Sequence, residues 1–282
     1  MTIHATGKQL IDNVINAQLA DNELGFWWLA QHSFILKIAG LVLYIDPFLT
    51  PMDARLVPPL FTPDECLDAD IIFGSHDHAD HIDRPIWPTL SQASPNAQFI
   101  VPELLRESLI EDLSIDALRF IGIDDGQSIE YNGVRITALA SAHEFLDQDK
   151  KTGHYPYLGF VIEACGLTVY HSGDTCLYDG LIAKLRQWEK FDLMMLPING
   201  RDADKLRRNI VGNMTYQEAV DLAGTLGTRY VVPTHYDMFE GNLANAEDFR
   251  DYLNIKYPHV QAIIPNYGQM QVLKRTSPVV RS

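Results

Sequence analysis

The chain has 282 residues, 46% apolar and 21% charged, which is the composition of an ordinary globular protein long enough to bury a sizeable core in one large domain or two small ones. Its formal net charge of −15 disfavours nucleic acid and anionic membrane as partners, and any phosphate site would need a local cluster of positive charge. Cys66, Cys165 and Cys176 are widely spaced, odd in number and free of any C-x-x-C, which argues against a disulfide framework and for a reducing compartment.

The N-terminal stretch lacks a basic start followed by an apolar run, so no signal peptide is read. No segment reaches the roughly 18 apolar residues of a membrane span. A cytoplasmic protein is expected. Residues 7–19 place Leu10, Ile11, Val14, Ile15 and Leu19 at helical spacing, which predicts an amphipathic helix in an N-terminal extension over 1–24. Three short strands follow, "GFWWLA", "SFILKI" and "LVLYID", the last two joined by a hairpin turn at 39–40. Core packing is the better reading for at least one of Trp27 and Trp28. "DADIIFGS" (68–75) reads as a buried strand, and Pro88 interrupts any helix near 84–92. "QFIVP" predicts a strand and "ELLRESLIED" a helix. "LRFIGID", "QSIEY" and "VRITALASA" are further strands, and "YLGFVIEA" and "LTVYHSGD" form a hairpin about Gly166. The second half alternates: a helix near 177–188, the strand "DLMMLPI", the helix "TYQEAVDLAGTLG", the strand "RYVVPTH", the helix "ANAEDFRDYLNIKY", then "VQAIIP" and "QMQVLK". Meandering strands followed by strand–helix alternation predict an α/β (α+β layered) body, most simply one domain over 1–282.

The segment "GSHDHADHID" (74–83) holds His76, His78, Asp80 and His81 in the pattern H-x-H-x-D-H, directly after an apolar strand. Loops at strand ends collect functional residues. Imidazole and carboxylate are ligands for zinc, manganese or iron. In an extended turn, residues 76 and 78 face one way and 80 and 81 another, which allows two metals. The alternative is a solvated polar loop. His143, Asp174 and His235 each follow an apolar run in the same manner. Any one alone would more often be a satisfied core residue, but four strand ends each delivering a ligand type is a pattern.

These residues give the chain a resemblance to the metallo-β-lactamase superfamily. More narrowly, "FWWLAQHSFILKI", "SHDHADHID", "YHSGDT" and "VVPTHYDMF", with "NGRDADKLRRNIVGNMT" more loosely, resemble the L-ascorbate-6-phosphate lactonase family, over about residues 25 to 273. The resemblance implies an αββα sandwich with two divalent metals at one edge. His76, His78 and His143 would hold the first, Asp80, His81 and His235 the second, and Asp174 would bridge them. Manganese or zinc is expected, with iron also suited to the ligands. Two cations sharing a water leave hydroxide near neutral pH, Asp80 would orient that nucleophile, and a metal would stabilise the oxyanion.

Other residues carry weaker readings. Asp46 in "YIDPFL" is either a partner fixing the tautomer of a ligating histidine or a turn residue before Pro47. His32 lines the pocket or belongs to a hairpin, and His171 and His154 are further pocket candidates. His4 and His259 read as surface residues, and Asp77 and Asp83 as loop-shaping or ligand-supporting ones. Arg201, Lys205, Arg207 and Arg208 reverse the local charge and suit a substrate phosphate, with Asn209 and Asn213 beside them. The stretch is equally a solvated loop, a lid or a subunit contact.

The leading functional expectation is a hydrolase opening the lactone of a small phosphorylated sugar acid, L-ascorbate 6-phosphate by resemblance, in a homo-oligomer. A phosphodiesterase is the alternative. A β-lactamase lacks a secretion signal here. An oxidoreductase would want a flavin domain, and a non-catalytic metal protein would not need all seven ligands.

Overall fold

The computed structural model describes residues 1–275; the end of the expected domain, 276–282, lies outside the described residues. Helix α1 (Gly7–Asn16) buries Leu10, Ile11 and Val14, as the spacing predicts, and ends before Leu19. It leads into β1 (Glu23–Trp28), β2 (Phe34–Ile38) and β3 (Leu41–Ile45). The β2–β3 turn is Ala39–Gly40, both with φ positive (53° and 80°), as the tight two-residue hairpin turn requires. Then come β4 (Ile71–Phe73), α2 (Trp87–Ala93), β5 (Gln98–Pro102), α3 (Glu103–Leu113) and β6 (Phe120–Ile123). With β14 (Gln271–Lys274) these strands form a seven-stranded sheet in the order β14-β1-β2-β3-β4-β5-β6. Its β14–β3 half is antiparallel and β3–β6 parallel.

The second sheet comprises β7 (Ser128–Tyr131), β8 (Val134–Ala140), β9 (Leu158–Ala164), β10 (Leu167–His171), β11 (Leu193–Pro197), β12 (Tyr230–Thr234) and β13 (Gln261–Ala262). Its order is β13-β12-β11-β10-β9-β8-β7, antiparallel from β7 to β10 and parallel from β10 to β13. Between its strands run α4 (Leu181–Leu185), α5 (Ala203–Arg207), α6 (Tyr216–Thr225) and α7 (Ala246–Lys256). Helix α3 packs on β5 and β6 of the first sheet, while α6 and α7 cover β11, β12 and β13 of the second. The sheets meet face to face: the Phe73 and Phe160 rings lie 5.0 Å apart. Trp27 and Trp28 are both fully buried. This is the layered α/β sandwich expected.

Three local expectations are corrected. Pro88 does not prevent a helix: it sits in the first turn of α2, where its missing N–H costs no hydrogen bond. The helix near 177–188 shrinks to α4 because it begins only after Gly180, a left-handed residue at φ 100°. "VQAIIP" pairs over only two residues, at the sheet edge.

The C-terminal ends of β4, β10 and β12 point to one edge of the sandwich. There the chain leaves the parallel strands at Ser75–Asp83, Ser172–Thr175 and His235, and β8 delivers residues 141–143 beside them. A sandwich edge where parallel strands end leaves loops free to converge while the sheets hold them rigid.

Candidate metal centre

The loop after β4 is a compact turn. The His78 and His81 N–H groups donate to the carbonyls of His76 and His78, both at 3.0 Å, and Ile82 N–H donates to His78 O at 2.8 Å. Asp83 closes the turn, accepting from Leu49 N–H, Thr50 N–H and the Thr50 hydroxyl. Asp77 is paired with Arg84 at 2.8 Å. Both aspartates therefore shape the loop, as the sequence suggests, and the remaining four polar side chains are free to turn inward.

Three groups of ligand atoms result, each within 4.8 Å: His76, His78 and His143; His76, His81 and Asp174; Asp80, His81 and His235. The first and third are the two triads expected from the sequence. Asp174 lies between them, its Oδ2 3.0 Å from His235 Nε2 and 3.8 Å from His143 Nε2, and its Oδ1 3.4 Å from His81 Nε2. All seven residues thus converge, drawn from four strand ends and both sheets. Access is from the His78 and Asp80 side: His78 is exposed and the Asp80 side chain 18% exposed, against 3% for Asp174.

Asp46 is fully buried and anchors this arrangement. Its Oδ2 lies 2.6 Å from His81 Nδ1 and accepts from the Ser75 hydroxyl, while its Oδ1 accepts from Ser75 N–H at 2.8 Å. With Nδ1–H donated to Asp46, the His81 ring is locked with Nε2 facing the cluster. Gly173, one residue before Asp174, has φ 57°, and an added Cβ would stand 2.2 Å from Leu158 O. Glycine is what brings that turn against β9.

Electrostatics divide the cluster. Burial, with neighbouring imidazoles, pushes the His76 and His78 pKa values down, and burial takes His143 to about 4. These three rings are neutral at pH 7, the form in which imidazole binds a metal. Burial also acts to lower His81 and His235, but the carboxylates around them win. Asp174, Asp80 and Asp46 raise His81, and Asp174 and Asp80 raise His235 to about 9. In turn, burial disfavours ionised Asp80 and Asp174, yet His81 and His235 hold both carboxyls well below the usual range.

The donor set fits a divalent cation. His81 Nε2 and Asp174 Oδ1 are buried and face each other at 3.4 Å without a well-formed hydrogen bond. His76 Nε2 meets His78 Nδ1 at 3.0 Å, so two ring nitrogens converge on one point. Buried polar atoms left in this state are costly, and a cation among them satisfies nitrogen and carboxylate together. Without a sulfur ligand, the set suits zinc, manganese or iron.

The other candidate residues do not join the ligand groups. His32 and His171 are fully buried with tilted rings, centroids 3.9 Å apart, and His32 lies 5.9 Å from His81 and 6.2 Å from His235, so neither presents a surface to a substrate. His171 Nε2 lies 2.9 Å from His32 O, and Gly173 N–H donates to His171 Nδ1, so His171 supports the Asp174 turn. The basic stretch is not a free cationic loop. Arg201 binds Glu218 and the Asn213 carbonyl, both at 2.7 Å, Arg208 pairs with Asp204, and the buried Lys205 donates to Asn199 O. Arg207 is 75% exposed, with Asp204 at 4.0 Å. Asn213 is fully buried, so it cannot line an open pocket. His154 stands beside Asp124 at 3.4 Å.

Two residues at the centre carry no sequence signal. Tyr157, half-buried, sets its ring 5.3 Å from His76 and 5.4 Å from His143. Gln31 reaches Asp80 with its side-chain nitrogen at 2.8 Å.

Comparison with known proteins bears on the family and the fold. The family described as "Beta-lactamase superfamily domain" matches residues 42–236, more than half of the chain. A metal-dependent hydrolase of Thermococcus onnurineus is 28% identical over 225 residues, 80% of this chain and 90% of that protein. Among solved structures, a metallo hydrolase from the hyperthermophilic archaeon Ignicoccus hospitalis superposes with a TM-score of 0.71 at 19% identity, covering 90% of this chain and 100% of that one. An isothiocyanate hydrolase from Delia radicum gut bacteria gives 0.69 at 17% identity, covering 89% and 100%. At such identities the structural likeness speaks for the fold.

Proposed function

This chain belongs to the beta-lactamase superfamily, and from that premise we propose that it is a metal-dependent lactonase acting on a small sugar acid, with L-ascorbate 6-phosphate the first substrate to test. The observation that carries the hydrolytic reading is the convergence of seven His and Asp side chains at one sandwich edge. His76, His78 and His143 would hold one divalent ion, manganese or zinc, Asp80, His81 and His235 a second, and Asp174 would reach both. Bound there, the metals would supply an acidified water and a Lewis acid for the developing oxyanion.

The chain's own residues do the rest. Asp80, the carboxylate of the cluster nearest solvent, accepts a hydrogen bond from the attacking water and aims it. Asp46 fixes His81 so that Nε2 faces inward. Tyr157 forms a wall over the first triad against which a small ring can rest. Arg207, exposed on the basic stretch, is the side chain to test against a substrate phosphate. The free cysteines support placing the protein in the cytoplasm. Among the described residues, no helix is long and apolar enough to cross a membrane.

Loss of the ene-diol ultraviolet absorbance of L-ascorbate 6-phosphate with manganese-loaded protein tests this reading. Loss that vanishes in Asp80→Ala and His235→Ala is expected. No loss with protein verified to hold its metal would overturn the lactone reading, and phosphodiesters would be the next substrates to assay.

A further inference from the structure

Gln31 sits at the tip of the β1–β2 hairpin, where two consecutive non-glycine residues are left-handed: Ala30 at φ 80° and Gln31 at φ 53°. Its backbone is fastened on both sides. The N–H donates to Asp237 Oδ1 at 3.0 Å, and the carbonyl accepts from His235 N–H at 2.9 Å and from Trp28 Nε1–H at 3.1 Å. His235 is left-handed as well, at φ 59°. The hairpin of the first sheet is thus clasped to the end of β12 in the second, at the residue that delivers a ligand.

A glycine would make the same backbone bonds and is the default residue at such φ values. The turn therefore does not call for a long side chain, yet the Gln31 side chain is buried inside the cluster, the residue being 1% exposed. Its Nε2 donates to Asp80 Oδ2 at 2.8 Å and lies 3.0 Å from His235 Nε2. The amide stands on the Asp80–His235 edge, while the remaining member of that triad, His81, keeps Nε2 without a hydrogen-bond partner. Among the hydrogen bonds of Gln31, none goes to His76, His78 or His143.

We propose that Gln31 is a positioning residue for the Asp80–His81–His235 half of the centre, and that its side-chain amide sets how tightly this half takes a divalent cation. The inference rests on the two-metal reading above. An uncharged N–H donor aligns the Asp80 carboxylate without adding charge that would compete with it. The same amide limits rotation of the His235 ring, whose own backbone Gln31 already holds. Partners of this kind typically change metal affinity by about 10- to 100-fold.

The test is titration of chelator-stripped protein with cobalt, following both the binding isotherm and the visible ligand-field spectrum, for wild type, Gln31→Met and Gln31→Gly. Gln31→Met keeps the volume and removes the amide. Gln31→Gly removes the amide and relieves the left-handed backbone, which offsets part of the packing lost with the buried side chain. Expected is a wild type that binds two equivalents. Both variants should bind the first equivalent as wild type does and the second about 10- to 100-fold more weakly, with the spectrum of the second ion altered. A wild type binding two equivalents beside variants that bind both equally well would overturn the role of Gln31 alone. A wild type binding fewer than two would overturn the two-metal reading and this inference with it.

Discussion

The Asp46 carboxylate lies 2.6 Å from His81 Nδ1, and that one contact decides which nitrogen of His81 faces the cluster. The same carboxylate also accepts the Ser75 N–H and hydroxyl, so the loop carrying His76, His78, Asp80 and His81 is anchored at its first residue. Asp46→Asn keeps the shape but weakens the hold on the imidazole. It should lower metal affinity by about 10- to 100-fold, read by competition with a chelating dye. Asp46→Ala also leaves the buried Ser75 N–H unsatisfied, a loss of roughly 1–3 kcal/mol measurable by urea unfolding.

Metal uptake should expel protons. His235, raised to about 9 by Asp174 and Asp80 against the effect of burial, is protonated at neutral pH, and His81 is raised in the same way. A cation can take their place only as those protons leave. Titration calorimetry at pH 7 in buffers of different ionisation enthalpy should show on the order of one to two protons released per molecule. Heat independent of the buffer would contradict this.

The same groups set the pH profile of metal-stripped protein. A histidine raised on folding stabilises fully below its unfolded value near 6.5, and this is lost as pH rises through about 9. Asp80 and Asp174 are depressed on folding, so their contribution is present above about 4 and is lost as pH falls below it. His76, His78 and His143, lowered by burial, take up protons in the unfolded chain before the folded one, so stability of the stripped protein should rise from about 4 to 6.5 and fall toward 9. Melting temperatures across that range check it, and metal-loaded protein should not show the alkaline decline.

Gly173→Ala should be destabilising by about 1–3 kcal/mol, because the residue is left-handed and its new Cβ meets Leu158 O at 2.2 Å. The shift displaces Asp174, so metal affinity should drop together with the denaturation midpoint.

Arg201 and Arg207 should separate cleanly. Arg201→Ala unpairs Glu218 and the Asn213 carbonyl and should cost about 1–3 kcal/mol of stability. Arg207→Ala touches only a 4.0 Å pair and should leave the melting temperature unchanged. If a phosphorylated lactone is the substrate, Arg207→Ala raises KM with kcat held, as loss of uniform binding requires.

Much of this was legible in the sequence because the ligands are punctuation. His76, His143, Asp174 and His235 each follow an apolar run, so strand periodicity alone predicts where they emerge. Asp46 is legible for the same reason. Pairing is a different matter. "RDADKLRR" advertises positive charge, but the string does not say that Arg208 folds onto Asp204 or that Lys205 turns inward. Likewise "HSF" and "YHS" place His32 and His171 near the cluster without revealing that both are fully buried against each other. Gln31 and Tyr157 were illegible because an amide and a phenol carry no periodic signature. Tertiary packing alone brings Gln31, on a hairpin of the first sheet, to His235 at the end of the second. Pro88 misleads because proline breaks a helix only beyond its first turn, and the sequence does not show where that turn begins.

The proposed centre has seven side chains holding two metal ions joined through Asp174. A crystal structure of manganese- or zinc-loaded protein, with data collected across the metal's absorption edge, locates both ions. Two anomalous peaks are expected, one among His76, His78 and His143 and the other among Asp80, His81 and His235, with an Asp174 oxygen ligating each. A single peak, or a second ion held without Asp174, would contradict it.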